Sequence, residues 1–382
     1  MDTMPGGARL TRLIARDFRN HADLDLALDR RFVALVGENG AGKTNLLEAI
    51  SLFSPGRGLR RADLATMART GGPGGFAVSL TLDAGDDGHR LGTGVEPPGY
   101  DGRVARVCRI DGAPAPSPVA FCEFLRVVWL TPDLDGLFRG AAGDRRRFLD
   151  RLVLAVDASH GARVSAMERA LRSRNRLLEE RPDDGRWLDA IEREVAELGV
   201  AVALARRETV ERLDRLIAQT RDDAQPFPWA ALRLEGDLDD LVAVWPALEA
   251  EDRFRRALHH GRPRDRAAGR TLSGPQTSDL VVRHGPKDVP AATASTGEQK
   301  ALLIGLVLAH ARLVQAMCAL SPVILLDEVA AHLDPRRRTG LFEALDALPG
   351  QVWMTGADPA LFAELAGRAD VVTVADGRAV SG

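Results

Sequence analysis

Gly37-Glu38-Asn39-Gly40-Ala41-Gly42-Lys43-Thr44 is the stretch that decides how this chain folds. The octapeptide fits G-x-x-x-x-G-K-[ST], a loop whose glycines let backbone N–H groups turn inward around phosphate oxygens. Lys43 is placed to reach the β and γ oxygens of a nucleotide, and the Thr44 hydroxyl to ligate Mg²⁺. The plain alternative is a chance glycine-rich turn, and the flanking sequence argues against it. Arg31 to Val36 is a short apolar run ending at Gly37, as a buried strand feeding a phosphate loop should be. Asn45 to Leu52 then reads as a helix with its N-terminus toward the anion. The octapeptide and the adjoining Asn45 are therefore the expected nucleotide contacts, with ATP and Mg²⁺ as ligands.

Two later segments add to this loop. Val323-Ile324-Leu325-Leu326-Asp327-Glu328 reads as a buried strand ending in two carboxylates. Asp327 is the expected Mg²⁺ ligand beside Thr44, and Glu328 is placed to orient or deprotonate an attacking water. A strand that simply ends in acids is common, so it is the phosphate loop that gives this pair its meaning. Ser295-Thr296-Gly297-Glu298-Gln299 precedes an apolar helix, Ala301 to Leu313. A small hydroxyl and a glycine at a helix N-terminus suit a γ-phosphate presented from outside, while Ser295 with Glu298 also makes an ordinary capping box. The two readings are compatible. Asp334 before Pro335 likewise reads as a helix N-cap.

The chain has 382 residues, 45% of them hydrophobic, enough for a large core and one or two domains. A net charge of -3 excludes a global basic field, so nucleic-acid contact must come from local patches. The 3 cysteines form no CxxC pair, which argues against a disulfide framework or a zinc hook. Met1 to Leu10 is Gly-rich without an apolar core, unlike a signal peptide, and Ala301 to Leu313 is interrupted by Gly305, His310 and Arg312. A soluble, cytoplasmic protein with no membrane partner is expected.

Strand patterns run through Leu10–Phe18, Leu24–Leu28, Phe76–Leu82, Leu91–Val95, Ala105–Ile110 and Val127–Leu130. From Asp144 to Asp222 the pattern turns helical, with Leu188, Ile191, Val195, Leu198 and Val202 on one face. A Pro-containing break at Gln225–Trp229, a strand at Leu232–Leu238 and a helix at Val244–Leu258 follow, then strands at Leu280–Arg283, Val352–Thr355 and Val371–Val374. An α/β fold with mixed sheets and an inserted helical domain is expected. It divides into an ATPase lobe with an N-terminal antiparallel sheet (1–134), a helical arm (135–270) and a lobe completing the head (271–382).

Taken together, these segments resemble an ABC/SMC-type P-loop ATPase head, in which Ser295–Gln299 looks like the signature motif. In such ATPases the signature of one molecule completes the ATP site of another, so Ser295 and Gly297 are implied contacts to a partner's nucleotide. Asp334 falls on the stretch that crosses the dimer interface. Many ABC proteins place a switch histidine where Thr355 stands, so slow hydrolysis is implied. The match narrows further. Leu13-Ile14-Ala15-Arg16-Asp17-Phe18-Arg19-Asn20, Gly37 to Ile50, Gly56-Arg57-Gly58-Leu59-Arg60, Pro132-Asp133-Leu134 and Arg145-Arg146-Arg147-Phe148-Leu149-Asp150 resemble the RecF family. Arg174-Asn175-Arg176-Leu177-Leu178, Gly274-Pro275 and Asp279-Leu280 continue the likeness. This family usually has Ser-Phe-Arg at Gly58-Leu59-Arg60 and Asp-Asp at Asp327-Glu328. The resemblance implies a weak ATPase that forms an ATP-dependent homodimer on DNA at single-strand gaps or duplex junctions. It further implies a part in repair, replication and recombination, aiding recombinase (RecA) loading with RecO and RecR.

Arg57, Arg60 and Arg61 form one candidate DNA-binding cluster and Arg145, Arg146 and Arg147 a second. Arg172, Arg174 and Arg176, and the arginines between Arg253 and Arg270, are further candidates, each weighed against a merely solvated face. No aromatic series accompanies them, which favours duplex or junction backbone over single-strand stacking. A transporter ATPase is the competing class, but it would carry a much shorter helical insert. A structural SMC or nuclease-associated head would need long heptad arms or a metal hook.

Overall fold

A computed structural model describes residues 9–83, 88–97, 105–222 and 226–381. Most of the Gly-rich N-terminus, and Gln225 of the Pro-containing break, lie outside these. In chain order come β1 (Arg9–Phe18), β2 (His21–Ala27), β3 (Phe32–Val36), α1 (Lys43–Ser51), β4 (Phe76–Asp83), β5 (His89–Val95), β6 (Arg106–Ile110), β7 (Ala113–Pro114) and β8 (Val127–Leu130). Then follow α2 (Ala142–Val156), α3 (His160–Glu180), α4 (Gly185–Thr220), β9 (Ala230–Glu235), α5 (Asp237–Val244), α6 (Ala247–Ala268), β10 (Asp279–His284) and β11 (Val289–Pro290). The chain closes with α7 (Thr296–Cys318), β12 (Val323–Leu326), α8 (Pro335–Asp346), β13 (Val352–Gly356), β14 (Ala369–Ala375) and β15 (Arg378–Ser381).

Two compact units result. The first takes the described residues of 1–135, 224–227 and 303–382 and holds two six-stranded sheets. One is antiparallel, ordered β2-β1-β4-β5-β6-β7. In β1 the buried positions are Leu10, Leu13, Ala15 and Phe18, and a register shift between Leu10 and Arg12 accounts for the first break in the alternation. The other sheet, β15-β14-β3-β13-β12-β8, is parallel except for the β14–β15 pair. Its strands β3, β8, β12 and β13 are buried at every residue, so they read as unbroken apolar runs. Leu46, Leu47, Ala49 and Ile50 of α1 join one apolar cluster with residues of both sheets. Buried Gln351 adds a polar stitch, accepting from the Leu10 N–H at 3.1 Å and donating to the Leu10 carbonyl at 2.9 Å.

The second unit takes the described residues of 136–223 and 228–302. Here α4, 36 residues long, packs on α3 and α6, with Leu188, Val195 and Val202 fully buried and Ile191 and Leu198 half-buried. Arg174 lies within this unit, not on its surface. Its guanidinium donates to Glu192 at 3.0 Å, to Asp265 at 2.8 Å and to the Leu258 carbonyl at 2.8 Å. A charge so buried holds only because these partners satisfy it, which removes Arg174 from the DNA candidates.

The expected boundary at 270 is displaced. Residues up to 302 stay with the helices because β10 pairs along β9 and Asp279 is clamped by Arg145 of α2. The expected strand at Leu232–Leu238 ends at Glu235, and α5 begins at Asp237, where Asp237, Asp239 and Asp240 favour a helix start. The helix expected to end at Leu258 runs on through Pro263 to Ala268. The apolar segment at Ala301–Leu313 belongs to a helix of 23 residues, long and apolar enough to cross a membrane. Yet 67% of its most apolar window is buried inside the molecule, as in a core helix of a soluble protein.

Candidate nucleotide site

The phosphate loop joins β3 to α1 and is held close to its neighbours. A Cβ at Gly37 would lie 2.1 Å from the Val374 carbonyl oxygen. At Gly42 the backbone has φ 114°, and a Cβ would lie 2.5 Å from the Asn20 amide nitrogen. Only glycine meets both demands. Glu38, Asn39 and Gly40 at the tip are exposed, and Ala41 is half-buried. Lys43 is 4% exposed and curls back, its Nζ donating to the Gly37 carbonyl at 2.7 Å and the Glu38 carbonyl at 2.9 Å. The ammonium is thus preplaced inside the loop's curve, where phosphate oxygens are stronger acceptors than these carbonyls.

The acidic pair lies beside it. The Asp327 N–H donates to the Leu130 carbonyl at 2.9 Å, which fixes the end of β12 against β8. The Thr44 hydroxyl lies 2.9 and 3.1 Å from the two Asp327 carboxylate oxygens. The Thr355 hydroxyl donates to Asp327 Oδ1 at 2.8 Å and accepts from the Glu328 N–H at 2.8 Å. Glu328 takes a left-handed backbone, φ 55°, which turns the chain sharply at the strand end. Burial pushes the Asp327 carboxyl up from its ordinary value, and the bonds from Thr355 and Thr44 oppose that rise. A cation at Thr44 and Asp327 would favour the carboxylate. Both groups are hard oxygen donors, which suits Mg²⁺ completed by phosphate oxygens and water. Among the described residues no cluster of three or more His, Cys, Asp or Glu forms an all-protein metal cage.

A polar network that the sequence left unassigned supports the loop. Asn20 donates to the Ala41 carbonyl at 2.9 Å and accepts from Asn45 at 2.7 Å. Asn45 accepts from Arg60 at 2.7 Å. Glu48, fully buried on α1, takes both Arg19, at 2.7 and 2.8 Å, and Arg60, at 3.1 Å. His21, also fully buried, donates from Nδ1 to the Gly377 carbonyl at 2.7 Å. The one visible signal was Glu48 itself, a carboxylate inside the apolar run Leu46–Ile50. Arg60 is thereby drawn to α1, though it stays exposed like Arg57 and Arg61 of the same candidate cluster.

In the second unit, Ser295 to Glu298 forms the reciprocal capping box. The Ser295 N–H donates to Glu298 Oε2 at 3.0 Å, and the Glu298 N–H to the Ser295 hydroxyl at 3.4 Å. Lys287 and the Ser295 groups hold the Glu298 carboxyl down to about 2. Buried Gln299 donates to the Ala292 and Ala294 carbonyls at 3.1 and 2.8 Å, and Arg139 to the Ala294 carbonyl at 3.0 Å. The turn before α7 is thus pinned from behind, and Ser295, Thr296 and Gly297 are exposed. Asp334, in the first unit, caps α8 by accepting the Arg337 N–H at 3.0 Å and takes no bond in the Asp327 network.

The other arginine cluster is mostly structural. Arg145 grips Asp279 with two bonds of 2.7 Å, and Arg146 donates to the Ser278 carbonyl at 2.7 Å. Arg147 is exposed and paired with Asp144. Of the expected site residues, Lys43, Thr44, Asp327 and Glu328 converge with the loop in the first unit. Ser295 and Gly297 form a separate exposed turn in the second.

Residues 12–63 match a family model described as "AAA domain", and residues 152–358 one described as "AAA domain, putative AbiEii toxin, Type IV TA system". "DNA replication and repair protein RecF" of Mesorhizobium japonicum is 54% identical over 374 residues, covering 98% of each chain. Its counterpart in Rhizobium meliloti is 54% identical over 379 residues, covering 99% of this chain and 100% of the relative. Among solved structures, the recombination mediator protein RecF-ATPrS of the RecFOR pathway superposes with a TM-score of 0.85 at 19% identity, covering 99% of both chains. An Smc head domain from Pyrococcus furiosus gives 0.52 at 16% identity, covering 98% of this chain and 96% of that one. These structures show a shared ATPase-head fold.

Proposed function

The chain belongs to the RecF family of DNA replication and repair proteins, and from that premise we propose that it works as an ATP-dependent dimerising clamp on DNA. It is an ATPase of the ABC/SMC type. In the proposed cycle, Lys43 exchanges the Gly37 and Glu38 carbonyls for the β and γ oxygens of ATP, while inward N–H groups of the loop hold the remaining charge. Thr44 and Asp327 would hold Mg²⁺, whose chemistry is to neutralise phosphate charge. Glu328 orients or deprotonates the attacking water. Ser295 and Gly297 of a second copy close over the γ-phosphate, and Asp334 helps to align the two sites. Hydrolysis breaks that bridge and releases the clamp. Thr355 carries no titratable group at the strand end, in keeping with slow turnover that DNA stimulates.

On this reading the dimer engages DNA at single-strand gaps or duplex junctions, in the cytoplasm, and acts with RecO- and RecR-like proteins in loading a recombinase. The observation that supports the nucleotide part is the bonded chain from the Thr44 hydroxyl through the Asp327 carboxylate and the Thr355 hydroxyl to the Glu328 backbone N–H, beside the phosphate loop. Fluorescence anisotropy of a gapped duplex, with and without ATP and Mg²⁺, tests the clamp. ATP is expected to tighten binding for the wild type and to have no effect on Lys43→Ala. DNA affinity indifferent to ATP in the wild type would overturn the reading.

A further inference from the structure

Outside the nucleotide site, one face of α6 stands out by its charge. From Arg253 to Arg270 the chain has seven arginines and a single carboxylate, Asp265. That carboxylate is 1% exposed and accepts from Arg174, so it contributes little to the surface. Arg253 pairs with Glu249, Arg255 with Asp252, Arg262 with Asp189 and Glu192, and Arg264 with Asp265. Arg256, Arg266 and Arg270 have no carboxylate in ion-pair range among the described residues, and all three are exposed.

Helical spacing gathers the uncompensated charge. At about 100° per residue, Arg256, His259, His260, Pro263 and Arg266 fall within an arc of about 120°. Buried Phe254, Leu258 and Asp265 point the opposite way. Arg270 follows just past the left-handed cap at Gly269, φ 65°. Elsewhere on this unit some exposed arginines are matched one turn away, as in Arg176–Glu180 and Arg212–Glu208, while others, such as Arg172 and Arg193, are exposed without such a match. Cations in a last turn offset the helix dipole. That explains Arg266 and Arg270 but not Arg256, His259 and His260, which lie further back.

We propose that this face of α6 is a contact for the phosphate backbone of duplex DNA. The proposal rests on the DNA-binding reading above and assigns it a surface. Arg256 to Arg266 spans about 15 Å along the helix, more than the roughly 12 Å width of a major groove, so its ends can reach phosphates on both strands. The face carries no Phe, Tyr or Trp to stack on unpaired bases, which selects duplex over single strand. His259 adds a ring N–H for a phosphate oxygen, while His260 uses its Nδ1–H on the Arg256 carbonyl at 2.8 Å.

The test is anisotropy of a fully paired duplex, with ATP and Mg²⁺, between about 50 and about 200 mM salt. It compares the wild type, an Arg256→Gln/Arg266→Gln/Arg270→Gln variant, the same three positions changed to Lys, and an Arg176→Gln/Arg207→Gln control. The triple Gln variant is expected to bind about tenfold or more weakly, with a slope of log affinity against log salt shallower by about 2 to 3. The Lys variant and the control are expected to stay near wild type. Thermal melting and ATP binding report whether each variant is folded. A triple Gln variant equal to wild type in affinity and slope, or a Lys variant as weak as it, would overturn the proposal while leaving DNA binding intact. A wild type that binds no duplex in any nucleotide state would instead sink the DNA reading and this surface with it. Duplex binding that is unaltered while an acidic protein surface loses its hold would assign the face to a protein partner.

Discussion

Thr355 is the residue whose position says most about the chemistry. It is fully buried, and its single hydroxyl joins the Asp327 carboxylate to the Glu328 backbone. Thr355→Val keeps the shape and removes both bonds. The half-buried Glu328 N–H is then left without its partner, at a cost of about 1 kcal/mol. We expect ATP turnover to fall about 10- to 100-fold, as is usual when a supporting partner of a metal or catalytic group is lost, with nucleotide affinity nearly unchanged. Turnover equal to wild type, measured alongside nucleotide titration, would reduce Thr355 to a packing role. The sequence showed Thr355 only as a histidine missing from its place. Its bonds depend on β12 and β13 lying side by side in register, with Leu326 against Met354, and no local pattern states that pairing. Asn20, His21 and Glu48 escaped notice for the same reason, since their partners lie up to 356 residues away.

At the scale of elements, α2, α3 and α4 are joined at one half-buried charge. Asp150 of α2 accepts His160 Nε2 at 2.9 Å and two bonds from Arg206, at 2.8 and 2.9 Å. Burial alone would raise its carboxyl, but His160 and Arg206 bring it down to about 2. Because the folded value lies below the unfolded one, this contribution is present above about pH 4 and is lost as pH falls toward 2. The shift corresponds to about 2 kcal/mol. Asp150→Asn is expected to lower stability at neutral pH and to flatten its dependence between these limits, as followed by urea unfolding against pH. Equal slopes for both proteins would contradict the assignment. The element types themselves were largely legible, because β3, β8, β12 and β13 are continuous apolar runs and α4 keeps one apolar stripe. The region 236–268 was less so. The acidic start of α5 resembles a loop, and Pro263 resembles a helix stop, yet buried Phe254 and Leu258 before Pro263 and buried Asp265 after it anchor α6.

At the scale of the molecule, a net charge of -3 leaves binding to local surfaces and leaves nucleotide control to the ATPase head. The arginine clusters show how little composition says about such surfaces. Arg145, Arg146 and Arg174 are engaged inside the second unit, whereas Arg256 and Arg266, on a helix the sequence reading cut short, stay exposed. The turn Ser295–Gly297, pinned by Gln299 and Arg139, is exposed, and the proposed composite site needs it open. Dimer formation around ATP is therefore the claim on which the rest depends, and sedimentation velocity with ATP and Mg²⁺ tests it most directly. The wild type is expected to sediment as a dimer. Ser295→Arg is expected to bind ATP yet remain a monomer, and Lys43→Ala to do neither. Normal ATP-dependent dimerisation of Ser295→Arg would contradict the composite site.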